Sequence, residues 1–130
     1  MAQTRICLVR HGETDWNAQY RLQGHQDIPL NARGLAQAAA VAQALRGERF
    51  DAIYSSDLQR AQTTARTIAD VLALPLQLEA GFRERHFGAL QGLTRAEADQ
   101  RHPGEYARVR MREPQACPPG EGGESLAGFA

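Results

Sequence analysis

Residues 50–78 read FDAIYSSDLQRAQTTARTIADVLALPLQL. Phe50 to Tyr54 is short and mostly apolar, the composition of a strand covered on both faces. Asp57 is placed to cap a helix running to about Leu72, with Ala61, Thr64, Ala65, Ile68 and Leu72 along one face; Pro75 follows its end. Leu76 to Leu78 predicts a further short strand. A strand, a helix and a strand in one run imply a crossover connection, and a crossover makes the two strands parallel.

The same alternation extends upstream. Residues 5–9 predict a buried strand, apolar from Ile6 to Val9, with Cys7 as a small core residue. Asn31 can cap a helix whose apolar positions Leu35, Ala38, Ala39, Ala42 and Leu45 follow the helical period, and Gly47 ends it. The order strand–helix–strand–helix–strand predicts an α/β layer with a mainly parallel sheet. Downstream lies a glycine-punctuated loop, 81–92. Thr94 and Glu97 then have capping-box spacing at the start of a short helix that His102-Pro103 ends, and a second short helix is expected over 104–112. Residues 113–124 hold Pro114, Pro118, Pro119, Gly120, Gly122 and Gly123 and read as a loop. Ser125-Leu126-Ala127 reads as a cap and a first turn, so residues 1–130 are expected to be a single domain lacking its C-terminal part.

At 130 residues and 42% hydrophobic composition the chain is one domain with a core. Fifteen basic and fifteen acidic residues cancel, which argues against nucleic-acid or anionic-membrane partners. All the basic residues are arginine, which rules out a lysine Schiff base and a lysine-dependent phosphate loop. Cys7 and Cys117 lack any paired spacing, so neither a disulfide framework nor a zinc site is expected. No apolar stretch approaches membrane-spanning length, and a cytoplasmic location is the expectation.

Ligands of open parallel sheets bind beyond the carboxyl ends of the strands. Arg10-His11-Gly12 follows the first expected strand, Ser55-Ser56-Asp57 and Arg60 the second, and Arg83-Glu84-Arg85-His86 the third. Three segments would therefore bring arginines, a histidine and a carboxylate to one edge. Guanidinium forks match phosphate oxygens, and their positive field favours neutral imidazole, the form with a lone pair. Glu84 is the nearest acid for a departing alkoxide. Taken singly, each residue has a plainer reading. His11 could be a turn histidine, Arg60 a helix partner of Asp57 at i, i+3, and Glu84 a surface ion pair. His25, His86 and His102 lack metal-ligand spacing.

Four stretches tip that balance: VRHGETDWN (9–17), RLQGHQDIPLNARGLAQA (21–38), YSSDLQRAQTTA (54–65) and FRERHFGALQGL (82–93), with GGES (122–125) more loosely. Their order and spacing resemble the histidine phosphatase superfamily, in its phosphoglycerate mutase-like branch. The resemblance implies a three-layer α/β phosphoglycerate mutase-like fold with a mainly parallel sheet. It implies metal-independent phosphoryl transfer through a phosphohistidine at His11, with Arg10 and Arg60 holding the phosphate and Glu84 as general acid. Asn17, Gln23 and Gly24 match positions lining the phosphate site, and Arg95 stands where the mutases carry a lysine that meets substrate. Phe87 replaces a tyrosine, and Met111 and Arg112 align with paired arginines, departures that favour a phosphomonoesterase over a mutase. The partner implied is a small phosphorylated metabolite; a mutase would add 2,3-bisphosphoglycerate as phosphate donor. The superfamily's second active-site histidine has no match, since all four histidines precede residue 103. The alternative is therefore an inactive or regulatory phosphate-binding module, with a homo-oligomer as one way to cover its open sheet edge.

Overall fold

The crossover expected over residues 50–78 forms. Strand β1 (Ile53–Ser55) runs parallel to β2 (Leu76–Leu78), with Ile53 opposite Leu76, Tyr54 opposite Gln77 and Ser55 opposite Leu78, in a computed structural model that describes residues 3–129. Gln59–Leu72 is the crossover helix. Numbered along the chain, the helices are α1 (Asp15–Ala18), α2 (Ala32–Leu45), α3 (the crossover), α4 (Arg95–Arg101), α5 (Pro103–Arg110) and α6 (Leu126–Phe129). Single turns of 3-10 helix cover Ala80–Phe82 and Gly88–Leu90.

Asp57 does not cap α3. The helix begins two residues later, and its Gln59 amide donates to the Asp27 carboxylate at 2.7 Å, a cap borrowed from a distant loop. Asp57 is drawn away because its carboxylate is taken by Arg83. At the other end Ala73 adopts the left-handed conformation, φ 56°, just before Pro75. Asn31 caps α2 as expected, its Oδ1 accepting the Gly34 amide at 2.8 Å. Thr94 accepts the Glu97 amide to start α4, and Pro103 sits in the first turn of α5.

The strand expected over residues 5–9 does not form. Among the described residues the sheet has two strands, and residues 3–10 lie exposed, Ile6 at 76% and Leu8 at 91%. Cys7 is exposed as well. A strand needs a ladder on at least one side, and among the described residues this run is tied only through the Arg5 side chain, which bonds the Arg49 carbonyl at 3.4 Å, pairs with Glu48 at 3.8 Å and lies over the Phe50 ring.

Helix α2 packs along α3. Its buried stripe is Gly34, Ala38 and Ala42, whereas Leu35 and Ala39 face outward, so the apolar period predicted the helix but misjudged the face. On α3 the buried residues are Arg60, Thr64, Ile68 and Ala69. The main apolar cluster lies in the second half: Leu90, Leu93, Ala98, Tyr106, Val109 and Ala116, with Leu22 and Phe87 against it. This cluster carries the loop after β2, and hence the carboxylate of Glu84, on a packed base.

Candidate active site

The His11 loop is anchored by its next residue, Gly12. The Gly12 amide donates to the Thr64 hydroxyl at 3.0 Å, and that hydroxyl donates to the Arg60 carbonyl one turn earlier on α3, at 2.8 Å. A Cβ at Gly12 would overlap the Gly34 carbonyl, so loop and helix approach as closely as backbone allows. His11 Nδ1 lies 2.6 Å from the Gly12 carbonyl. A carbonyl only accepts, so Nδ1 carries the hydrogen and Nε2 presents the lone pair. Burial holds the His11 pKa below its ordinary 6.5; the Gly12 carbonyl opposes this, Arg60 and Arg10 add to the lowering, and Glu84 opposes it. Neutral imidazole, the nucleophilic form, is thus favoured.

Arg60 is 2% exposed yet fully directed. Its two terminal nitrogens donate to the carbonyls of Gly24 (2.6 Å) and Gln26 (2.7 Å). Burial lowers its pKa, while Glu84 and Asp27 act to raise it; a guanidinium stays charged throughout the working range. The 23–26 turn is therefore shaped around a buried cation. Gly24 takes φ +54°, and a side chain there would overlap the Gln91 carboxamide. Gln23 is buried, its Oε1 accepting from the Thr14 hydroxyl at 2.7 Å. Asn17 closes the capping box of α1 by accepting the Thr14 amide at 3.0 Å.

Glu84 is exposed, and its Oε1 accepts the Arg85 amide at 2.7 Å. Its charge reaches both His11 and Arg60. Arg83 on one side forms a double hydrogen bond with Asp57, 2.6 Å to each oxygen. Arg85 on the other is buried and donates to the carbonyls of Glu124 (2.7 Å) and Ala116 (3.0 Å).

Arg10, His11, Gly12 and Asn17 line one cleft of about 350 Å³ with Gln37, Val41 and Thr64. Arg60 and Glu84 act on His11 electrostatically, and Gln23 and Gly24 form the turn around Arg60. Arg95 is not brought in: it is exposed in the first turn of α4, with no hydrogen bond or ion pair to the other site residues among those described. Arg60 is not the helix partner of Asp57; Arg83 is the residue that pairs with it. Sequence reasoning placed Thr64 only in a packing face and missed its link from Gly12 to Arg60. The signal available was a polar hydroxyl at an otherwise apolar position. Glu124 and Gln91, which brace the acid loop, gave no signal beyond their place in the matched stretches.

The family model for the histidine phosphatase superfamily (branch 1) matches residues 6–130. The chain belongs to that superfamily. It is 46% identical over 125 residues to a metal-independent phosphoserine phosphatase of Arabidopsis thaliana, covering 95% of this chain and 52% of the relative. Among solved structures it resembles a mycobacterial glucosyl-3-phosphoglycerate phosphatase (TM-score 0.79, 39% identity, 92% of this chain and 56% of that one). It also resembles the alpha-ribazole phosphatase of Shigella flexneri (TM-score 0.82, 31% identity, 93% and 59%). The chain spans about half the length of the curated relatives it matches. The α/β fold class is that of these histidine phosphatases. Among the described residues no helix is long and apolar enough to cross a membrane, and no group of three His, Cys, Asp or Glu could hold a metal ion.

Proposed function

We propose that residues 1–130 belong to one histidine phosphatase domain that transfers the phosphoryl group of a small phosphomonoester to His11 and then to water. The observation that carries this reading is the state of His11: its Nδ1 is fixed by the Gly12 carbonyl, and it is held neutral by burial and by Arg60 and Arg10. Nε2 attacks phosphorus, and the bond from phosphorus to the ester oxygen breaks. Glu84 gives its proton to that oxygen, so an alcohol leaves rather than an alkoxide. Arg10 and Arg60 balance the charge that spreads over the phosphoryl oxygens. Water then attacks the phosphohistidine, the Glu84 carboxylate takes its proton, and inorganic phosphate departs. Asn17, Gln23 and Gly24 shape the phosphate site, the last through its carbonyl on Arg60.

A phosphatase fits better than a mutase. Phe87 lacks a phenol hydroxyl to hold a substrate carboxylate and packs against the apolar cluster, while Arg95 lies apart. Water as acceptor needs no phosphate donor such as 2,3-bisphosphoglycerate. The named relatives act on phosphoserine, glucosyl-3-phosphoglycerate and alpha-ribazole phosphate, which suits a small phosphorylated metabolite here. The test is incubation with a radiolabelled phosphomonoester and trapping of alkali-stable label. Wild type should carry the label, and His11→Ala should carry none; equal labelling of the two removes His11 as nucleophile.

A further inference from the structure

Glu84 is flanked by two arginines with different duties. Arg85 is 5% exposed and grips the backbone of the 116–124 loop. Arg83 reaches the other way, its Nε and a terminal nitrogen each 2.6 Å from one Asp57 oxygen. Asp57 sits between β1 and α3, three residues before the buried Arg60. Arg83 immediately precedes Glu84. The fork therefore ties the segment that carries the phosphate-binding cation to the segment that carries the acid. Glu84 itself has little else to hold it, being exposed and, among the described residues, bonded only to the amide of its neighbour.

The pair is unlike an ordinary surface ion pair in two respects. It is doubly hydrogen-bonded, fork to carboxylate, the geometry that fixes orientation as well as distance. It also spans 26 residues of sequence, so it restrains tertiary geometry rather than a helix face. Both side chains are about two-thirds covered, at 36% and 33% exposure, which leaves the fold little dependent on them.

We propose that Asp57 and Arg83 are positioning residues for proton donation, a paired strut that sets the Glu84 carboxyl over Arg60, where the leaving-group oxygen departs. This rests on the phosphoryl-transfer reading above. As the ester P–O bond breaks, the O–H bond of Glu84 breaks and a new O–H bond forms on the leaving oxygen. Misplacing the acid penalises only that proton transfer. Displacements of about 1 Å cost on the order of a hundredfold at a reacting centre.

The strut then predicts a dependence on the leaving group. Asp57→Asn keeps the shape and breaks the charged fork. Its kcat on an alkyl phosphate should fall by roughly tenfold to a hundredfold, with KM nearly constant. On p-nitrophenyl phosphate, whose phenolate leaves without a proton, the fall should stay under about threefold. Glu84→Gln should show the same selectivity, and the double variant should lose no more than Glu84→Gln alone, because a strut has nothing left to position. Arg83→Lys, which keeps charge without the fork, should lie between, and it carries the test if Asp57→Asn unfolds early in a thermal melt. Equal losses on both esters, or independent losses in the double variant, overturn the strut while leaving the phosphatase reading intact. A wild-type chain inert towards both esters overturns the phosphatase reading and the strut with it.

Discussion

Two regions contribute the residues of the candidate site, and they are held in different ways. Around Arg60 and Glu84, three loops lock together through part-buried amides bonded to side chains and backbone. Gln91 Oε1 accepts the His25 amide at 2.9 Å and the Phe87 amide at 3.2 Å; the Gly92 amide donates to the Leu22 carbonyl at 2.7 Å; the Glu124 carboxylate accepts the His86 amide at 2.9 Å. The nucleophile side is tied on its C-terminal flank alone among the described residues: the Glu13 carbonyl accepts the Asn31 amide at 3.0 Å, and Thr14 pairs with Leu30 and donates to Gln23 at 2.7 Å. Residues 3–10 are exposed, and His11 is placed by its two C-terminal neighbours: Gly12 on Thr64, and Glu13, whose amide donates to Gln37 at 2.9 Å. The proposed phosphate-binding cation and general acid are thus held by a network spanning several loops. His11, the proposed nucleophile, is held from one flank, by the contacts of residues 12–14 with α2, α3 and the 23–31 segment.

The largest test of that contrast is Arg60→Met. It removes a buried cation and strands two carbonyls, those of Gly24 and Gln26. Hydrogen bonds to charged groups are worth about 1.5–3 kcal/mol each, so the loss in unfolding free energy should be about 3 kcal/mol or more by urea titration. Phosphohistidine formation should drop more than about a hundredfold. A variant as stable as wild type would show that the 23–26 turn does not depend on the cation.

Next is Gly34→Ala, aimed at the nucleophile side. Alanine is the better helix former by about 1 kcal/mol, so propensity alone predicts stabilisation. A Cβ at Gly34 would instead overlap the backbone of Glu13, and forcing apart a packed backbone costs roughly 1–3 kcal/mol. The contact wins in this balance. We expect a net loss of about 1–2 kcal/mol, together with slower labelling of His11 as its loop is pushed off α2. A stabilised variant would mean that loop and helix are not in contact in solution.

How far the molecule can be read from its sequence depends on the kind of interaction. The crossover β1–α3–β2 was legible because its signals are local: an apolar run, a helical period and a proline stop. So were the Asn31 and Thr94 caps, which need only their own next turn. Two misreadings share one cause. Asp57 lost its cap role to Arg83 while α3 took its cap from Asp27, and the 5–9 run lacked a ladder; each is decided by residues far away in the chain. Of the candidate site, the His11 and Arg60 neighbourhood was visible as arginines and a histidine at the ends of expected strands, although the strand before His11 does not form. Its links through Thr64 and Gln91 were not, because a hydroxyl or a carboxamide finds its partner only once helices pack.

A smaller effect concerns protonation of His11. Its pKa lies below 6.5, so between that lowered value and 6.5 the unfolded chain binds more protons than the folded one. Stability contributed by this group therefore rises with pH through that window, and the full penalty applies below the folded pKa. The acid limb of labelling should likewise fall below pH 6.5. Arg10→Gln removes one of the lesser causes of lowering and should move the limb only slightly upward, since burial is the dominant cause and stays in place. Imidazole titration by NMR reads this directly; a downward movement would reverse the assigned sign.

The smallest expected effect probes the exposed arm itself. Leu8 is 91% exposed, whereas Leu90 in the second half is fully buried. Leu90→Ala should cost about 2–5 kcal/mol, the range for a buried leucine. Leu8→Ser should change stability by less than about 0.5 kcal/mol, as surface substitutions do, since the arm has no ladder to lose. The same substitution would matter if residues 5–9 were paired, because an apolar strand covered on both faces loses transfer free energy at every position. A loss above about 1 kcal/mol for Leu8→Ser would therefore mean that the arm is buried in solution. The nucleophile would then be braced from both sides, as Glu84 is by Arg83 and Arg85. A near-zero value leaves the contacts of residues 12–14 with Thr64, Gly34, Gln37 and Asn31 to place His11.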